Sequence, residues 1–207
     1  MRSSAKKVFF NNYTFHVWNG VYEPAEDSFL FAENLTVGKG ERVLDMGTGC
    51  GILGIVAAEK ASMVLAVDIN PHAVRCAKEN AKLNHASGKM FFVQGDLFAP
   101  IRIAQKFDLI MFNAPYLPSE PREGEDWLAR AWCGGVDGRA VIDRFICEVP
   151  KHLRSGGRVL LMQSTLADAS KTLALFSKNG FETEIIAKRE FPFFETILLI
   201  QAVFRQV

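Results

Sequence analysis

The stretch from Phe107 to Pro118 restricts this chain more than any other. An apolar run, Leu109 to Phe112, stops on Asn113, Ala114, Pro115 and Tyr116. A run without polar alternation suits a strand covered on both faces of a parallel sheet. Pro115 and Pro118 forbid further ladder or helix, and Pro115 biases Ala114 toward an extended backbone. The carbonyls of Asn113 and Ala114 are therefore expected to stay free beyond the strand end, where open α/β sheets bind ligands. An Asn side-chain oxygen beside a rigid backbone carbonyl makes a two-acceptor fork, which suits a planar NH2 group with its two donors. The Tyr116 ring is placed to stack on such a plane. Asn and Pro are also common turn residues, so the tetrad alone leaves a plain loop open.

The rest of the chain supports the parallel-sheet reading. Arg42 to Met46 reads as a short buried strand, followed by Gly47-Thr48-Gly49-Cys50-Gly51 and a helix from about Ile52 to Lys60. Strand, glycine loop and helix in that order open a nucleotide-binding fold. The next strand, Met63 to Val67, closes on Asp68, and a helix over Pro71 to Leu83 takes Asn70 as its cap. Lys89 to Gln94 is the third strand, ending at Gly95, Asp96 and Leu97. Phe107 to Phe112 is the fourth and Gly157 to Met162 the fifth. Helices are expected over Val141 to Leu153, with Pro150 bending or ending the last turn, and over Ala167 to Lys178. Glu182 to Lys188 and Glu195 to Phe204 are split by a turn at 191–193, so they must be antiparallel neighbours. The expectation is an α/β, doubly wound, Rossmann-like mixed sheet of seven strands.

Upstream, aromatics alternate with polar residues across Tyr13 to Val17, which suggests a short strand or a strand pair. Phe29 to Leu35 has helical spacing. Pro24 is expected at the first helical position, with Glu26 and Asp27 in the first turn. Ser119 to Gly138 is too long for a tight connection and reads as a functional loop.

Composition narrows the function classes. The formal charge is +1, whereas nucleic-acid binders usually carry a large basic excess. Cys50, Cys76, Cys133 and Cys147 form no C-x-x-C pair, so no metal site is expected and a reducing, cytoplasmic setting fits. No run approaches transmembrane length. The chain is read as one domain over 1–207, with 1–36 packing over the site.

The glycine loop admits two ligands. Gly49-x-Gly51-x-x-Gly54 matches the dinucleotide fingerprint. Asp45-x-Gly47-x-Gly49-x-Gly51 matches the acidic loop that receives S-adenosyl-L-methionine. The strand ends at Met46, so the dinucleotide register would begin two residues late. Asp45 would also repel a pyrophosphate, whereas it suits a cationic ligand. Asp68 lies about 20 residues past the first glycine, the separation at which an acid meets a ribose hydroxyl pair.

Three stretches together carry a resemblance over nearly the whole chain: Val21 to Phe29, Asn113 to Tyr116, and Ala131 to Arg139 followed by Asp143 to Phe145. The sequence resembles HemK-type class I methyltransferases, in the archaeal and eukaryotic branch that modifies glutamine in class 1 translation release factors. The first and third stretches are specific to that branch, whereas the tetrad is shared with nucleic-acid amino-methyltransferases. The resemblance implies transfer of a methyl group from S-adenosyl-L-methionine to the N5 amide nitrogen of the Gly-Gly-Gln glutamine. It gives Asn113, Ala114, Pro115 and Tyr116 the substrate side. It gives Asp45, Gly47 and Gly49 the methionine part of the donor, Asp68 the ribose, and Asp96 with Leu97 the adenine. Ser28, Asp27 and Asn113 also touch the donor in this reading. The family tetrad is Asn-Pro-Pro-Tyr. Ala114 departs from it but keeps the backbone carbonyl, which implies looser preorganisation rather than lost activity.

The fold so implied has strand order 3-2-1-4-5-7-6 with the last strand antiparallel, which leaves Lys89 to Gln94 on an open edge. Its apolar Met90 to Val93 is poorly defended against a partner strand. The resemblance implies that a small zinc-binding activator protein pairs there. Two other readings stay open on sequence alone. One is a DNA adenine or RNA guanine amino-methyltransferase, whose exocyclic NH2 would fit the same fork. The other is an idle donor-binding scaffold.

Overall fold

The computed structural model describes residues 5–120, 126–191 and 195–205. Its centre is a sheet of seven strands: β3 (Arg42–Met46), β4 (Met63–Asp68), β5 (Met90–Gln94), β6 (Phe107–Asn113), β7 (Leu153–Ser164), β8 (Phe181–Glu190) and β9 (Thr196–Phe204). They lie in the order β5-β4-β3-β6-β7-β9-β8. Counted from β3 as strand 1, this is 3-2-1-4-5-7-6. β9 is antiparallel to both neighbours, while the pairs from β5 to β7 are parallel. The expected topology is therefore present, and β5 stands at one edge.

Val43, Leu44, Leu109, Ile110, Met111 and Leu161 are wholly buried, as double-sided cover requires. The helices α2 (Ile52–Ala58), α3 (Pro71–Leu83), α4 (Ala140–Glu148) and α5 (Ala169–Lys178) supply that cover together with α1 (Glu26–Glu33). α3 begins as its sequence demands: Asn70 Oδ1 accepts the His72 N–H and Pro71 occupies the first turn.

Several boundaries differ from the sequence reading. α1 starts at Glu26 with Ala25 as its cap, so Pro24 precedes the helix instead of opening it. The expected helix over Val141 to Leu153 is α4 followed by a 3-10 turn, Val149–His152. Pro150 has no N–H for an α-helical bond. β7 starts four residues before Gly157, because Leu153 pairs with Phe107 and a register shift absorbs the glycines before Arg158 meets Leu109. The turn expected at 191–193 lies largely outside the described residues.

Ahead of the sheet, β1 (Lys6–Phe10) and β2 (Tyr13–Val17) form an antiparallel hairpin. It is held by two asparagines of the α3 end rather than by the sheet. Asn80 Oδ1 accepts the His16 N–H at 2.9 Å, and Asn84 Oδ1 accepts the Thr14 N–H at 3.0 Å. Their amide groups donate back to the His16 and Thr14 carbonyls. Asn80 also donates to the Cys50 carbonyl at 2.8 Å, which ties the hairpin to the glycine loop. Phe10 stacks on Phe29 of α1 at 6.0 Å between ring centroids. The segment from Trp18 to Ser28 is thereby drawn across the carboxyl ends of the strands.

Candidate active site

A cavity of about 690 Å3 opens at the carboxyl ends of the parallel strands, between the glycine loop, the tetrad, the Tyr22-to-Ser28 segment and the Trp127-to-Cys133 segment. Every site residue expected from sequence lines it except Asp45. Asp68, Asp96 and Leu97 wall one end with Gly47 and Gly49, while Asn113, Ala114, Pro115 and Tyr116 wall the other with Asp27 and Ser28.

At the first end the acids have distinct surroundings. Asp68 ends β4, and its two oxygens each accept one backbone N–H, from Gly49 and from Asn70, both at 2.9 Å. Burial nevertheless raises its pKa, these bonds opposing the shift. Each oxygen keeps a further lone pair for a ligand hydroxyl. Asp96 pairs with Arg144 at 2.7 Å in a partly exposed setting. Ile69 and Leu97 add apolar wall beside these acids. Asp45 sits behind the loop, where its Oδ2 accepts the Thr48 hydroxyl at 2.6 Å and the Gly54 N–H at 3.0 Å. A Cβ on Gly54 would stand 2.7 Å from that oxygen, so only glycine lets α2 approach the carboxylate this closely. Complete burial pushes the Asp45 carboxyl up to about 7, with the Thr48 and Gly54 bonds pulling against the shift.

At the second end Asp27 is the organising group. It is 7% exposed. Its Oδ1 accepts from the Tyr22 hydroxyl at 3.1 Å, the Ser28 N–H at 2.6 Å and the Ser28 hydroxyl at 3.2 Å. Its Oδ2 accepts from Asn113 Nδ2 at 3.0 Å and the Tyr116 hydroxyl at 3.2 Å. Burial and this carboxylate raise the pKa of both tyrosines, so their hydroxyls remain donors. Asn113 Nδ2 also reaches Ser28 Oγ at 3.3 Å. The Asn113 Oδ1 atom, in contrast, is buried and has no hydrogen-bond partner. Of the four buried side-chain atoms in that condition among the described residues, it alone belongs to a residue of the cavity wall.

The long loop holds the tetrad from outside. Leu117 forms a bridge to Cys133, with Leu117 N–H donating to the Trp132 carbonyl at 3.0 Å and Gly134 N–H to the Leu117 carbonyl at 2.8 Å. A Cβ on Gly138, whose φ is +73°, would lie 2.3 Å from the Tyr116 carbonyl oxygen, so the loop turns directly beneath the tetrad. Arg139 anchors its end. Fully inside the protein, it donates to the Asp168 carbonyl at 2.8 Å and Thr172 Oγ1 at 2.9 Å, and pairs with Asp143 at 2.5 Å. The third motif thus braces the second, while its Ala131, Trp132, Cys133 and Arg144 also line the cavity.

Sequence reasoning assigned no role to Tyr22, Trp127, Arg130, Trp132 or Arg144, all of which line the cavity. The Arg130 guanidinium lies 5.1 Å from the Trp127 ring centre. The aromatic content of 127–132 was the available signal, since aromatics in a long loop are a common mark of a binding surface.

The strand order with β9 reversed is that of class I methyltransferases. Residues 28–114 match the family model of ribosomal protein L11 methyltransferase (PrmA). A Methanocaldococcus jannaschii protein named as a putative protein N5-glutamine methyltransferase is 45% identical over 88% of this chain and 91% of its own length. Human methyltransferase HEMK2 is 33% identical over 84% of this chain and 88% of its own. Among solved structures, the E. cuniculi Mtq2–Trm112 complex, described as responsible for methylation of the eRF1 translation termination factor, matches with a TM-score of 0.69 and 26% identity. That match covers 89% of this chain and 99% of the other. The chain belongs to the HemK-type family of protein-glutamine N5-methyltransferases.

Proposed function

We propose that this chain methylates the N5 side-chain nitrogen of glutamine, in the Gly-Gly-Gln sequence of a class 1 translation release factor, with S-adenosyl-L-methionine as donor. The observation that carries the reading is the unpartnered, buried Oδ1 of Asn113, a residue of the cavity wall. A buried acceptor without a donor is costly, and a substrate NH2 group is the donor that would complete it. The Ala114 carbonyl is read as the second acceptor.

The wall also fits the donor. Asp68 retains acceptor capacity for a ribose, Ile69 and Leu97 provide apolar cover for a base, and acidic residues face a cation. When bound, the sulfonium supplies an electrophilic methyl group. An amide nitrogen is a weak nucleophile because its lone pair is delocalised into the carbonyl. Two acceptors on its hydrogens favour lone-pair density at nitrogen, and holding the group in line lowers the barrier by orientation, on the order of several kcal/mol. Asn113 and Ala114 do both. The proton lost from nitrogen goes to solvent after the bond forms.

The described eRF1 activity of Mtq2 supports the substrate, and its Trm112 partner supports a second proposal. A small zinc-binding activator adds a strand to β5. The Lys89 carbonyl and the Gly95 N–H face β4, so by parallel-ladder alternation the polar groups of Met90, Phe92 and Gln94 face outward. Phe91 is 56% exposed. Lys89 does not guard the edge, because its Nζ donates to the Ala58 and Glu59 carbonyls at the end of α2.

Radiolabelled donor, release factor with the Gly-Gly-Gln glutamine intact or replaced by alanine, and duplex and single-stranded oligonucleotides make the test. Label on the intact factor alone supports the reading. Label on oligonucleotides and not on the factor would replace it with the nucleic-acid one.

A further inference from the structure

We propose that Asp27 is the positioning residue for this reaction: it fixes which end of the Asn113 amide faces the substrate. This rests on the glutamine-methylating reading. The two ends of an asparagine amide are nearly equal in shape, but one accepts and the other donates. If the NH2 end faced the cavity it would meet the substrate NH2 donor to donor. A carboxylate can only accept, so Asp27 Oδ2, 3.0 Å from Nδ2, holds the NH2 end and leaves Oδ1 as the buried end without a partner, on a residue of the cavity wall. Turning the amide over would set its oxygen against a buried carboxylate.

The surroundings fix Asp27 in turn. Tyr22 and Tyr116 donate to opposite oxygens and the Ser28 N–H pins Oδ1, so the carboxylate cannot rotate without losing several bonds. The coupling crosses 86 residues of sequence, from α1 to the end of β6. On this reading the Tyr22-to-Ser28 segment does more than cover the site, because it sets the polarity of the atom that touches substrate. Asp27 itself does not touch the reacting atoms.

The test reverses the hydrogen bond. Asp27→Asn keeps shape and removes the bias, since the introduced amide can donate to Asn113 Oδ1. At saturating donor, where any change in donor affinity drops out, turnover should fall by about 100-fold. In the double variant Asp27→Asn/Asn113→Asp the roles are exchanged. One oxygen of the carboxylate now on β6 accepts from the amide now on α1 and the other faces the cavity, so turnover should recover at least about 10-fold over Asp27→Asn. A readout without turnover comes from nitrogen-15 NMR of the unsubstituted protein. The Asn113 side-chain NH2 signals, assigned by their loss in Asn113→Asp, should exchange with solvent far more slowly than a free amide. Normal turnover in Asp27→Asn, no recovery in the reversed pair, or free-amide exchange at Asn113 would each overturn the proposal. Protected Asn113 signals in a protein that labels no glutamine would uphold Asp27's hold and count against the substrate reading instead.

Discussion

Asp45 and Asp68 are both buried carboxyls near the glycine loop, yet substitution should affect them differently. Asp68→Ala removes acceptors for the Gly49 and Asn70 N–H groups as well as the proposed ribose contact. Donor affinity should fall at least about 10-fold, and stability should fall by roughly 1–3 kcal/mol through the backbone groups left unpaired. Calorimetry and thermal melts check this, and unchanged donor affinity would remove Asp68 from the donor site. Asp45 has its carboxyl raised from 3.8 to about 7. The folded protein therefore binds this proton more tightly than the unfolded chain does. The resulting stabilisation is full below the unfolded value, fades as pH rises and is gone above the folded value. Asp45→Asn mimics the neutral acid and keeps an oxygen for Thr48 and Gly54. Its melting temperature should fall less than that of the unsubstituted protein between about pH 5 and pH 8. The slope should not vanish, because Asp68 is shifted in the same direction. Parallel curves would show that Asp45 does not titrate as described.

At the scale of single elements, local signals were legible where they act over a few residues. α3 could be read with its cap because Asn70 and Pro71 adjoin the helix they start, and β6 because four apolar residues precede two prolines. The role of Asp27 was not legible, because its partner Asn113 is 86 residues away and a first-turn acid has a sufficient local explanation in the helix dipole. The start of β7 was missed because the apolar run that marks the strand begins only after Gly157, while the pairing of Leu153 with Phe107 across a register shift extends it four residues upstream. For β5 the structure specifies the exposed face. Phe91→Lys should weaken capture of the zinc-binding activator at least about 10-fold in a pull-down titration, since it places a charge within the proposed interface. An exposed substitution should move the melting temperature little. Equal capture by both proteins would place the activator elsewhere.

The whole molecule depends on a tie between the N-terminal hairpin, α3 and the glycine loop. Asn80, 1% exposed, bonds the His16 N–H and carbonyl and the Cys50 carbonyl at once, so one side chain couples the hairpin to the glycine loop. Asn80→Ala should destabilise the protein by roughly 2–3 kcal/mol, because buried backbone groups on two elements lose partners together. It should also weaken donor binding through the loop. A variant with the original melting temperature would show the hairpin to be independent of α3. None of this coupling could be read from sequence, since Asn80 occupies an ordinary helical position and its partners are chosen by the tertiary arrangement. The same holds for Arg139, whose buried guanidinium joins the long loop to α5.

The most direct measurement is a crystal structure of the protein with S-adenosylhomocysteine and a Gly-Gly-Gln peptide. The expected result has the glutamine nitrogen within about 2.7–3.2 Å of Asn113 Oδ1, with Asn113 Nδ2 still bonded to Asp27. A glutamine amide bound elsewhere in the cavity, or an Asn113 amide turned with its oxygen toward Asp27, would contradict it.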